Sequence, residues 1–138
     1  MEYAVHRTSA GTVDGAVRRL GEELAKRGFG ILADLRVDRI LREKVGAEIA
    51  PLAILDVCSP RFAQRALADD PQAALVLPCK IVVAKEPAGV RLSLVRPTAA
   101  IAPVGPSSEM RALAEEAESL LREAVDAAAA SGPAPVRP

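Results

Sequence analysis

Prolines and glycines punctuate this chain, with Gly28, Gly46, Pro60, Pro71 and Gly89 marking where strands and helices begin, end or turn. Tyr3, Val5 and Arg7 alternate with Ala4, His6 and Thr8, the pattern of a half-buried strand. Ser9 or Thr12 offers a cap for a helix in which Val13, Ala16, Val17, Leu20 and Leu24 recur at helical spacing. Asp14–Arg18, Glu22–Lys26 and Glu23–Arg27 lie four apart with the acid first, as on a solvated helix face. Gly28 stops the helix.

A second strand is expected over 29–37, with Asp34 and Arg36 interrupting its apolar run. Asp38 is placed to cap a short helix running to Lys44 and closed by Gly46. Ala53 to Cys58 forms a compact apolar strand. At Ser59-Pro60 a helix begins, the serine serving as cap and the proline, its φ preset, at the first helical position. Phe62, Ala63, Ala66 and Leu67 give that helix its apolar face, and Pro71 keeps it short. Ala74 to Ala84, the most apolar stretch, is expected to be a central strand in which Pro78 marks either a bulge or the true beginning. Glu86-Pro87-Ala88-Gly89 reads as a hairpin turn into Val90 to Val95. An irregular connection with three prolines spans 97–106. Ser107 or Ser108 then caps a long helix lined on one side by Met110, Leu113, Ala117, Leu120, Leu121 and Ala124. Residues 1–130 are expected to form a single domain, and 131–138 a disordered, proline-rich tail.

Helices interspersed with hairpin-capable strands predict an α+β fold, a two-layer sandwich of about five mostly antiparallel strands with helices packed on one face. Eighteen basic residues balance eighteen acidic ones, so the chain has no electrostatic footprint for nucleic acid or an anionic membrane. With Tyr3, Phe29 and Phe62 as its only aromatics, it also lacks a platform for stacking bases. The opening Met1-Glu2-Tyr3 has neither the basic nor the apolar region of a secretory signal, no apolar run reaches membrane-spanning length, and two cysteines do not make a disulfide framework; a cytoplasmic protein is expected.

Three segments carry a family resemblance. Asp38 to Gly46 resembles a short helix ending in Lys-hydrophobe-Gly. Ile54-Leu55-Asp56-Val57-Cys58-Ser59-Pro60 is similar to a strand ending in Cys-Asn-Pro. Leu75 to Val83 is similar to an apolar strand with an internal Pro-Cys. Together, over residues 1 to 125, they resemble the bacterial and archaeal domain of unknown function 302 (DUF302) family. The resemblance implies a small single-domain α+β protein, a homodimer, with no assigned reaction. Ser59 stands where the family commonly has asparagine; serine caps a helix about as well.

The chemistry that the chain can offer centres on two thiols. Cys58 ends a strand just before a helix start, where the dipole and free amides favour a thiolate. The competing reading is a small apolar filler, since free cysteine is among the most buried residue types. Cys79 comes near Cys58 if its strand begins at Ala74 and runs parallel, or begins at Cys79 and runs antiparallel. A disulfide would further need Cα atoms within about 7 Å. No close-spaced ligand pairs suggest zinc; a two-thiol copper(I) site is compatible with ligand softness alone. His6, the one histidine, reads as a surface residue on an edge strand, and no hydrolase triad or phosphate loop is present. Asp34, Arg36 and Asp56 are strand charges that could line a pocket, and Lys44 and Lys80 could hold an anion.

Cys58, Ser59, Cys79 and Lys80 are therefore the candidate ligand or redox site, with no catalytic residue, metal or cofactor expected. The leading expectation is a homodimeric module that binds a small molecule or a partner, through neither nucleic acid nor membrane. The alternative is a thiol-based redox or sulfur-handling protein in which Cys58 reacts and Cys79 resolves. A third reading makes both cysteines inert. The dimer would form through the Ala/Leu face of the last helix or through a sheet edge, about a twofold axis.

Overall fold

A computed structural model of the protein describes residues 2–133. Five strands, β1 (Ala4–Ser9), β2 (Gly30–Arg36), β3 (Leu52–Cys58), β4 (Cys79–Glu86) and β5 (Gly89–Val95), form one sheet in the order β1-β5-β4-β3-β2, every pair antiparallel. The helices are α1 (Val13–Ala25), α2 (Val37–Val45), α3 (Pro60–Asp69), the single turn α4 (Pro97–Ala100) and α5 (Ser108–Ala130). This is the expected α+β architecture.

Strand alternation divides the sheet into two unlike faces. Val5, Leu55, Ile81 and Leu94 form one row across four strands, and Ala53, Val83 and Leu92 the next; all are buried against Leu20 and Leu24 of α1 and Leu121 and Val125 of α5. Each fully buried leucine or isoleucine stabilises the fold by about 1.5–3 kcal/mol, and this layer carries most of the apolar burial. The opposite face bears the row Leu35–Ile54–Val82–Ser93–His6, and none of these five is fully buried.

Local chemistry sets the element ends. Thr12, not Ser9, caps α1, its side chain accepting from the Gly15 amide at 3.0 Å. Gly46 takes φ +67° at the end of α2, the left-handed conformation expected there. Gly89, at φ 150°, lets β5 pass so close to the Ser9 carbonyl that a Cβ would collide with it. Ser107 accepts from Met110 N at 3.0 Å and donates to Asp69 Oδ2 at 2.8 Å, tying the start of α5 to the end of α3.

Several expectations are corrected. Asp38 does not cap α2; the helix begins at Val37, and the Asp38 carboxylate instead accepts from the Leu52 amide, fastening α2 to the start of β3. Asp14 pairs with Arg36 of β2 rather than Arg18, and Lys26 joins Glu23 rather than Glu22, while Glu23–Arg27 forms as read. Leu67 is 42 % exposed, because α3 turns only Phe62, Ala63 and Ala66 inward. The central strand begins at Cys79, after a cis Leu77–Pro78 peptide, and Ala74 and Leu75 belong to a 3₁₀ turn over Pro71–Leu75 capped by Asp70. Within 97–106, Pro97 at the first helical position starts α4. Of the expected tail, Ser131 is the C-terminal cap of α5, and residues 134–138 lie outside the described residues.

Candidate functional site

The antiparallel alternative for Cys79 is the one the chain adopts. Val57 faces Cys79 and Asp56 faces Lys80 across the β3–β4 pair, so Cys58 and Cys79 meet at one end of the sheet, on adjacent strands. Alternation puts Cys79 on the core face in register with Val57, and Cys58 on the other side. Both thiols are free. Ser59 follows, 5 % exposed, at the cap position of α3 with Pro60 at the first helical position. Its side chain makes no cap hydrogen bond, so the serine occupies the cap position without performing the expected bonding.

All four candidate residues line one cavity of about 380 Å³. Its floor is the sheet end, with Val57 and Cys79 from the core face and Asp56, Lys80 and Val95 from the open face, so the space wraps round the strand ends. Phe29, just before β2, and Phe62 of α3 form one wall, their rings stacked at 5.7 Å. The other wall comes from Leu77, Ile101, Met110 and Leu113, part of a second apolar cluster distinct from the main core. The cavity occupies the seam between these two cores.

The far wall is held by Glu118, an 8 % exposed carboxylate on α5. It accepts from Thr98 Oγ1 at 2.6 Å and Thr98 N at 3.2 Å, and from Arg96 Nε at 3.2 Å. Burial alone would raise its pKa; the Thr98 and Arg96 hydrogen bonds outweigh that and hold it below the usual carboxylate range. Glu118 thereby ties α4 to α5, and Pro97 and Ala100 of α4 line the cavity. Sequence reading missed it, since a glutamate on a long charged helix resembles any solvated one. The available signal was its place: Glu118 falls between Ala117 and Leu121, on the apolar side of the helix.

Burial bears on both thiols. Burial pushes Cys58 upward, and pushes Cys79, which also feels Cys58, up to about 11. Lys80 is exposed at the rim. Lys44 in α2 and Asp34 and Arg36 in β2 lie outside this cavity; Arg36 is engaged by Asp34 and Asp14. Among the described residues no group of three or more His, Cys, Asp or Glu side chains is arranged to hold a metal ion, and no helix is long and apolar enough to cross a membrane.

A single antiparallel sheet covered on one face by two helices, with an apolar cavity at the end where β3 and β4 meet α3, defines a small single-sheet α+β class. The chain belongs to the DUF302 family, a domain of unknown function, whose model matches residues 5–128. It is similar to the crystal structure of an uncharacterized conserved DUF302 protein from Bacillus stearothermophilus, with a TM-score of 0.87 and 26 % identity over 93 % of this chain and 99 % of that one. No curated protein matches.

Proposed function

We propose that this protein is a cytoplasmic, homodimeric binding module whose cavity at the Cys58–Cys79 end of the sheet takes a small, largely apolar molecule. The observation that carries this reading is the convergence of Cys58, Ser59, Cys79 and Lys80 on one preformed cavity of about 380 Å³, within the range of small-molecule sites. Such sites combine apolar walls with a few placed polar groups; here Phe29, Phe62, Leu77 and Leu113 are the walls, and Ser59 and Lys80 the polar groups. A redox pair would call for an acidified attacking thiol, and both thiols are shifted the other way.

The test is titration with N-phenyl-1-naphthylamine, a neutral probe that fluoresces in apolar surroundings. Saturable enhancement is expected from the wild type, and its loss from Ala117→Leu, which fills the seam from α5, with circular dichroism confirming that the variant is folded. An unsaturable response, or one unaffected by filling the cavity, overturns the reading.

A further inference from the structure

Resting on that reading, we infer that the ligand carries a carboxylate, and that its head group seats at the start of α3 while its chain fills the seam between the two cores. The helix start and the burial of Ser59 against the cavity point there. The first is an unmet set of donors. Pro60 has no N–H, no side chain caps the ten-residue helix, and among the described residues the amides of Arg61 and Phe62 have no backbone partner. Those amides sit at the positive end of the helix, where an anion is favoured.

The second is Ser59. It is 95 % buried at the edge of the cavity, yet its hydroxyl bonds to nothing in the cap. The hydroxyl is not sealed from solvent, and it is available to donate to a ligand oxygen in the cavity. Amides and hydroxyl lie together at one helix start, where donors favour an acceptor head group over an ammonium. Lys80 at the rim adds a positive charge; Asp56 opposite it is the one acidic group lining the cavity and works against an anion.

The remainder of the space is apolar. Phe29, Phe62, Leu77, Ile101, Met110 and Leu113 offer no hydrogen bond to a chain lying among them. At roughly 30 Å³ per water-sized unit, 380 Å³ accommodates about a dozen non-hydrogen atoms, the size of a medium-chain carboxylate. A longer chain would have to emerge at the rim.

Displacement of bound N-phenyl-1-naphthylamine by decanoate, decanol and decyltrimethylammonium separates the claims. Decanoate should displace the probe at about tenfold lower concentration than decanol, which corresponds to about 1.4 kcal/mol for the head group. Lys80→Met, at an exposed position, should shrink that advantage severalfold, and Asp56→Asn should enlarge it; decanol should respond to neither. Ser59→Ala should weaken decanoate more than decanol. Decanol matching decanoate, or the ammonium displacing best, overturns the carboxylate inference and leaves the binding cavity standing. Failure of the probe itself to bind overturns both.

Discussion

Cys79 shows how far a residue's neighbours decide its chemistry. Its position in β4, facing Val57 on the core side, half-buries it, and burial pushes its thiol up to about 11. A thiol whose pKa is higher folded than unfolded holds its proton more tightly in the native state. Its contribution is therefore complete below the free-thiol pKa of about 8.5 and declines as the pH climbs toward 11. The shift corresponds to a loss of about 3 kcal/mol across that interval, and Cys79→Ala should flatten this part of a urea-denaturation pH profile. Peptide-resolved alkylation offers a second check. Cys58, closer to the surface, should label before Cys79, and neither should react at neutral pH faster than an unperturbed thiol. Rapid labelling of Cys58 at pH 6 would restore the redox interpretation.

Among elements, the single-turn α4 is tied to α5 by one carboxylate. A one-turn helix has no stability of its own, and Glu118 supplies it from α5 by accepting from both the hydroxyl and the amide of Thr98. Arg122 Nε, 3.6 Å from the same carboxylate, adds charge without a hydrogen bond. Glu118→Gln keeps the shape but removes the charge opposite Arg96, and should cost about 1–3 kcal/mol in urea denaturation. Because the Glu118 carboxyl titrates below its unfolded value, its stabilising contribution is present above about pH 4.5 and disappears as the pH falls through the folded pKa; the glutamine variant should lose that acid-side slope. The same elements show what the sequence made legible. Helix α1 and the β4–β5 hairpin were readable because periodicity, Gly28 and Pro87-Ala88 act locally. The meeting of Cys58 and Cys79 was readable as one of the arrangements that strand and helix lengths allow, a strand beginning at Cys79 and running antiparallel to β3. The sequence leaves the start of β4 open between Ala74 and Cys79. The orientation of Asp38 and the cavity's far wall were not readable, since each of these two depends on a partner distant in the chain: Asp38 on Leu52, and α4 on Glu118.

For the molecule as a whole, the asymmetry between the two faces of the sheet bears on the proposed dimer. The apolar side of α5 is consumed in the core, so the last helix no longer offers the interface expected of it. What is left uncovered is the opposite sheet face, where Leu35, Ile54 and Val82 lie side by side across three strands. Near-continuous apolar runs such as Leu52 to Leu55 and Ile81 to Ala84 are typical of strands buried on both faces. A second copy suits this surface: the chain's net charge is zero, so two copies do not repel, and matching sheet faces can meet about a twofold axis. Five strands about 4.8 Å apart and about 23 Å long give a face of roughly 550 Å², against about 800 Å² per partner in a stable complex. Exposed Ile40, Val45 and Ile49, in and just after α2, supply apolar area toward the difference. Light scattering coupled to gel filtration should give the mass of a dimer for the wild type and of a monomer for Ile54→Glu, with circular dichroism unchanged because Ile54 lies outside the main core. A wild type that runs as a monomer at micromolar concentration removes the dimer from the proposal. A dimer that persists in Ile54→Glu would move the contact to an edge strand, and β2, whose bulge between Ile31 and Ala33 leaves Leu32 66 % exposed, would be the edge to substitute next.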